Sequence, residues 1–265
     1  MRTQAVARNA AVVTVLEPYV KGEIMQDRYA GDIGDYGKFA LLRALASKGF
    51  TIGVNWYLFD TPPRELTAND GGKLVPGVLS QYDPELAETL RAISQSPDRS
   101  VARLEEADLV PGAAYYAAMV SVEARREWHE QALVRLAEAD LVFLDPDNGL
   151  LVRSVGKGSA KSPKYAFYEE VADYMGRGQS VVVYNHRGRQ RPQDYFRERC
   201  EGLMAVSPEA AGITAITFRK GSVRDYFVVG ATSAHMGMVD DALKDLTGGV
   251  WGTLPGMCEL ASLPR

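Results

Sequence analysis

Three features of this 265-residue chain predict an α/β fold, with helices on both faces of a mostly parallel mixed sheet and an antiparallel edge. Short unbroken apolar runs, Leu141–Leu144 and Ser180–Tyr184, are just long enough for strands buried on both faces. Longer stretches with helical spacing alternate with them, as parallel strands require. Two late strands, Ile213–Phe218 and Asp225–Ala231, are joined by Arg219-Lys220-Gly221-Ser222 and predict a hairpin that supplies the antiparallel edge.

The composition fits one soluble globular unit. Hydrophobic residues make up 46% and charged residues 24%, so neither disorder nor a membrane bundle is indicated. No apolar run approaches the roughly 18–20 residues that cross a bilayer. The two cysteines, Cys200 and Cys258, form no CxxC pair, which argues against a zinc site or a disulfide framework and sets a reducing cytoplasm as the expected location. The net charge of −4 excludes a wholesale polyanion coat. Residues 153–191 nevertheless carry eight Lys/Arg against three Asp/Glu, and such a local basic zone on an acidic protein suggests a bounded anion site.

Residues 1–24 are expected to be an extension ahead of the folded unit, since their short apolar patch before Glu17-Pro18 fits a signal peptide poorly. A single domain is expected over 25–265. Its first helix follows Gly31-Asp32-Ile33-Gly34-Asp35, with Asp35 as N-cap, Lys38 one turn in, and Phe39, Leu42 and Leu45 at helical spacing. Glycines ahead of a helix N-terminus either form a capped turn or let an anionic or polar ligand approach closely. Thr51–Phe59 alternates like a strand and ends at Asp60, before Thr61-Pro62-Pro63 breaks it. Residues 61–80 form a long loop, and Glu85–Ile93 and Ser100–Ala107 are helical. Ala113–Val122 reads as a strand. Glu123–Ala139 is an amphipathic helix with Trp128, Leu133 and Leu136 on one side, and its His129 is expected to be a surface or hydrogen-bonded residue.

The central strand then runs into Asp145-Pro146-Asp147-Asn148-Gly149. Pro146 lacks an N–H and Asn148-Gly149 favours a turn, so Asp145 and Asp147 are delivered at the carboxyl end of a buried strand. That rim is where open α/β sheets bind ligands, although the same residues also make an ordinary tight turn. The next segment, Arg153 to Lys164, offers Lys157, Lys161 and Lys164 in a small-residue loop; the P-loop spacing fails, leaving either a phosphate-binding or a merely solvated basic loop. Tyr168–Met175 is helical. The strand Ser180–Tyr184 ends in Asn185-His186-Arg187 and repeats the arrangement at Asp145, which makes His186 the favoured histidine and Arg187 a candidate phosphate ligand. Pro192–Met204 and Met238–Leu246 are helices, and the Gly- and Pro-rich tail is expected to be loop.

The order of these signals resembles the ribosomal RNA adenine-N6 methyltransferases of the RlmJ type. Tyr29-Ala30-Gly31-Asp32-Ile33-Gly34-Asp35-Tyr36-Gly37-Lys38-Phe39 corresponds to that family's HAGNxADxLKH segment. Leu58-Phe59-Asp60-Thr61-Pro62-Pro63 stands where the family has LDTHAGAG, and Leu144-Asp145-Pro146-Asp147-Asn148 where it has IDPPY. The resemblance spans roughly residues 27–250 as scattered short matches. It implies a Rossmann-like three-layer fold and an S-adenosylmethionine pocket bordered by Gly31, Asp32, Asp35, Lys38 and Asp60. It also implies Asp145 as hydrogen-bond acceptor for a target amino group on a nucleic acid or nucleotide. The chain departs from the family in TPPRELT, which replaces the glycine-rich turn, and in Asn148, which replaces the stacking aromatic.

Three functions follow. The first is a methyltransferase with Asp145, Asp147, Asn148 and His186 at the reacting end and Lys157, Lys161, Lys164 and Arg187 on phosphate. The second is a phosphoesterase or nuclease holding Mg or Mn on Asp32, Asp60, Asp145 and Asp147, since these ions take oxygen ligands. The third is a non-catalytic nucleotide-binding module.

Overall fold

The structure, a computed structural model, describes residues 24–60, 74–75, 77–188, 190–248 and 258–260. The expected N-terminal extension, apart from Ile24, and the TPPRELT segment lie outside the described residues.

Parallel strands β1 (Ile52–Asn55), β2 (Ala114–Tyr116), β3 (Leu141–Leu144) and β6 (Ser180–His186) form the heart of a seven-stranded sheet. β8 (Arg224–Gly230) pairs antiparallel with β6, β7 (Gly212–Phe218) antiparallel with β8, and β9 (Cys258–Leu260) antiparallel with β7. The order is β2-β1-β3-β6-β8-β7-β9. From β1 the chain moves outward to β2, then returns to β3 on the other flank of β1. The order therefore reverses between β1 and β3, and a crevice opens beyond their carboxyl ends. A two-residue pair, β4 (Gly149–Leu150) with β5 (Tyr165–Ala166), closes the turn that follows β3.

The strand period of two sends alternate residues to opposite layers. Ile52, Val54, Leu141, Phe143, Val182, Tyr226 and Val228 pack against α1 (Ile33–Ala46), α2 (Pro84–Gln95), α3 (Val101–Glu106) and α7 (Ser233–Gly248). Val142, Leu144, Val181, Val183, Phe227 and Val229 pack against α4 (Arg125–Arg135), α5 (Tyr168–Met175) and α6 (Pro192–Val206). This is the three-layer α/β/α, Rossmann-like arrangement that the sequence predicts. Side chains buried this fully contribute about 1.5–3 kcal/mol each. Among the described residues no helix is long and apolar enough to cross a membrane.

Several local expectations are corrected. β1 is four residues rather than nine, because Tyr57 takes φ 45° and interrupts the ladder, which continues only as an isolated Leu58–Met119 bridge. β2 is three residues of the ten expected. Asp32, not Asp35, caps α1: its carboxylate accepts from Gly34 N at 2.6 Å and Asp35 N at 3.1 Å. Part of the long loop is a 3₁₀ turn, Gly77–Gln81. In the tail, Cys258–Leu260 forms the outer strand β9, where a loop is expected from the sequence. His129 is buried with Nε2 3.0 Å from Asp173 Oδ2, a hydrogen-bonded structural residue as expected.

Candidate functional site

A cavity of about 290 Å³ occupies the crevice between β1 and β3. Six separate pieces of chain meet there. The first turn of α1 brings Asp32, Gly34, Asp35 and Lys38, and the exit from β1 brings Trp56. The turn after β3 brings Asp145 through Asn148, the end of β6 brings Tyr184 and His186, and the start of β8 brings Arg224. Gln26, Tyr29, Val101 and Leu104 form the wall beside Trp56.

Lys38 is the hub. Its ammonium donates to Asp35 Oδ1 at 2.8 Å and to Asp145 Oδ2 at 2.6 Å and lies 4.9 Å from the centre of the Trp56 ring. Burial opposes its charge, but the two carboxylates outweigh that and hold it above the ordinary lysine range. Burial pushes the Asp145 carboxyl up to about 6, against the pull of Lys38. Asp32 is likewise pushed up to about 6, by burial and then by Asp35, with Arg224 and the helix N–H groups opposing. The cavity floor thus holds carboxylates that ionise near neutrality around one fixed cation.

His186 and Arg224 face each other across the β6–β8 ladder. Burial and the Arg224 charge lower the His186 pKa, against the pull of Asp147 and Asp225. Arg224 is only 9% exposed. Burial opposes its charge, yet Tyr184, Tyr226 and Asp32 around it keep the guanidinium above its usual range.

The turn after β3 is fixed from both sides. Asp145 N donates to Asn55 O at 2.9 Å and Asn148 N to Lys164 O at 2.9 Å. Asn185 is the principal clamp: Oδ1 accepts from Leu150 N at 2.7 Å and Nδ2 donates to the Tyr195 hydroxyl at 2.6 Å. Gly149 takes φ 104°, and a Cβ there would fall 2.1 Å from Asn185 Oδ1, so only glycine lets the turn pass. Beneath it, Arg125 binds Glu170 through Nε at 2.7 Å and holds the carbonyls of Ser162 and Tyr165 at 3.1 and 2.6 Å.

Of the residues singled out from sequence, Asp32, Asp35, Lys38, Asp145, Asp147, Asn148 and His186 all line this cavity. Asp60 does not: β1 stops at Asn55, and Asp60 is an exposed residue bridged to Ile24. Gly31, expected beside a cofactor, is instead a packing glycine, since a Cβ there would lie 2.4 Å from Leu90 O. Arg187, expected on phosphate, is engaged by Asp225 (Nη2–Oδ1 2.5 Å, Nε–Oδ2 2.8 Å) and by Thr217. Lys157 pairs with Glu169 at 2.7 Å, and Lys161 is exposed on the same loop. Lys164 does approach the site, with Nζ 4.0 Å from Asp147 Oδ2 and 5.1 Å from the centre of the Phe59 ring. Arg224, Ser222, Tyr184, Trp56, Tyr29 and Gln26 line the cavity without having been singled out from sequence.

Among the described residues no group of three or more His, Cys, Asp and Glu side chains is placed to hold a metal ion. The reason is visible for Asp35 and Asp145: the Lys38 ammonium occupies the space between them that a dication would need. No protein-family model matches the chain, and neither does any curated protein.

Proposed function

We propose that the protein is an S-adenosylmethionine-dependent methyltransferase acting on an amino group of a nucleic acid or nucleotide. The observation that carries this reading is the charge of the switch-point cavity. Four carboxylates, Asp32, Asp35, Asp145 and Asp147, face two cations, Lys38 and Arg224. A net acidic hollow favours a ligand with net positive charge and disfavours a polyphosphate. S-adenosylmethionine carries a sulfonium, an ammonium and one carboxylate and is cationic overall, so the residues fit it. Its adenine has an apolar and aromatic wall in Tyr29, Val101 and Leu104. Gln26 Oε1 is buried on the same side and has no hydrogen-bond partner among the described residues, an acceptor that an exocyclic amine would satisfy.

Bound there, the cofactor supplies an electrophilic methyl group. Asp145 holds the acceptor: Lys38 takes Oδ2, which leaves Oδ1 to receive an N–H from the target amine and aim its lone pair. Lys38 fixes that carboxylate in one rotamer, and Asp35 fixes Lys38. Asn148, held through its backbone by Lys164 O, offers an amide beside the acceptor. Lys164, which approaches Asp147 at 4.0 Å, offers a positive group for a phosphate flanking the target base, which must be single-stranded or flipped out to enter.

Isothermal titration with S-adenosylmethionine tests the reading. We expect saturable binding, together with methyl transfer to single-stranded oligonucleotides that Asp145→Ala abolishes. Absence of binding at millimolar cofactor would overturn it, and binding without transfer to any nucleic acid would reduce it to a nucleotide-binding module.

A further inference from the structure

The carboxylates around the cavity are already committed. Asp35 accepts from Lys38 through Oδ1 and from Gly31 N through Oδ2, each at 2.8 Å. Asp32 holds two helix N–H groups through Oδ1 and sits in the field of Arg224. Asp145 gives Oδ2 to Lys38, and Asp147 lies 4.0 Å from the Lys164 ammonium. His186 differs from all of these. Its residue lines the cavity and is exposed at the end of β6, and its ring has no hydrogen-bond or ion-pair partner among the described residues. The other two histidines of the chain are both engaged, His129 by Asp173 at 3.0 Å and His235 by the Ser180 hydroxyl at 2.8 Å. The parallel register that ends at Leu144 and Val183 sends the acidic turn and the Tyr184–His186 strand end out over the same crevice. An uncommitted imidazole thus stands beside Asp145 and Asp147 where the cavity meets solvent.

A primary amine has two N–H bonds. When its lone pair attacks a sulfonium methyl, a C–N bond forms, and the C–S bond breaks with its electron pair returning to sulfur. Nitrogen is left positive and must shed a proton. Asp145 Oδ1 receives one N–H, but protonating that carboxylate would weaken its bridge to Lys38. Asn148 and Ser222 also line the cavity, yet an amide and a hydroxyl take no proton near neutrality. We infer that His186 accepts the second N–H proton of the acceptor amine, an assignment that rests on the methyltransferase reading above. One ring nitrogen takes the proton, and the exposed imidazolium passes it to water. Partial burial and Arg224, directly opposite on β8, hold the His186 pKa below the ordinary imidazole value, against Asp147 on the turn and Asp225 on β8. The unprotonated ring is therefore favoured before transfer, and the same guanidinium favours loss of the proton afterwards.

Chemical rescue on the full chain tests the assignment, beside a labelling experiment that needs no turnover. Diethyl pyrocarbonate acylates unprotonated, accessible imidazoles, so it should mark His186 ahead of the two engaged histidines. A single-stranded oligonucleotide bound with S-adenosylhomocysteine should block that labelling. His186→Ala is expected to leave S-adenosylmethionine affinity unchanged by calorimetry and to lower methyl transfer about 100-fold or more. Added imidazole should restore part of the rate, and more basic substituted imidazoles, supplied unprotonated, should restore more. His186→Gln keeps a polar side chain that cannot take a proton, and it should be as impaired as His186→Ala. Full transfer by His186→Gln, a loss that imidazole does not relieve, or labelling of His186 that the bound oligonucleotide leaves untouched overturns the assignment. Each of these leaves the methyltransferase reading standing. An unaltered protein that neither binds the cofactor nor transfers a methyl group overturns that reading, and the assignment falls with it.

Discussion

Lys38 Nζ donates to Asp145 Oδ2 at 2.6 Å, joining the first helix to the end of the central strand across 107 residues of chain. Its second bond, to Asp35 Oδ1 at 2.8 Å, leaves one ammonium between two carboxylates in a buried setting. Lys38→Met removes the cation that bridges them while both acids stay in place. Removing one member of a buried pair costs about 3–5 kcal/mol. Urea unfolding should show a loss of that order, and adding Asp145→Asn to Lys38→Met should restore part of it. Equal stability of Lys38→Met and the unaltered protein would contradict the pairing.

The carboxyls of Asp145 and Asp32, both pushed up to about 6, give a signed pH dependence. A folded-state pKa raised above the unfolded value near 4 means that the native state binds more protons in that interval. Their contribution to stability is therefore full below about pH 4 and is lost as the pH rises through about 6. Asp145→Asn should flatten the fall in unfolding free energy between these limits. On the proposed reading, affinity for S-adenosylmethionine should move the other way, rising through about pH 6 as the carboxylates ionise, when followed by calorimetry from pH 5 to 8. A stability curve that climbs over this range in the unaltered protein and is unchanged in Asp145→Asn would refute the assignment.

Gly149 and Asn185 should behave as a coupled pair. Alanine at 149 must adopt φ 104° and displace Asn185 Oδ1 from 2.1 Å. The backbone alone costs about 1–3 kcal/mol. The clash with the Asn185 side chain should vanish in an Asn185→Ala background while that with its Cα at 2.7 Å remains, so the double mutant should be less destabilised than the sum of the single ones by at least about 0.5 kcal/mol. Additive thermal or denaturant melts would show that the two residues do not meet.

Arg125 supports the turn from below. Its guanidinium holds Glu170 and two carbonyls of the segment that becomes β5. Arg125→Met should cost about 3 kcal/mol or more and lower Tm by roughly 6–12 °C in scanning calorimetry. A shift under about 2 °C would place Arg125 outside the supporting framework.

Much of the layout was legible because the parallel strands are buried on both faces and read as apolar runs: β3, β6, the β7–β8 hairpin and the helices between them follow directly. The acidic rim was legible too, since Asp145-Pro146-Asp147-Asn148-Gly149 cannot continue a strand. Asp60 was misplaced because alternation through Phe59 hides the break in the strand at Tyr57. Arg224 was missed for a topological reason. It opens an antiparallel strand, so its amino end lies at the rim where the parallel strands have their carboxyl ends, and no local pattern announces that. Arg187 was overvalued because its partner Asp225 is a neighbour only across the ladder, invisible to a reading along the chain.

That same reversed strand has a consequence for how the protein is made. The cavity is walled by residues from Gln26 to Arg224, so a nascent chain emerging from the ribosome holds α1 and the acidic turn long before it holds the arginine opposite them. Contacts this remote in sequence form late and slowly. Any fragment ending before β8 therefore carries the acids without their distant counter-charge and with one wall of the cavity missing.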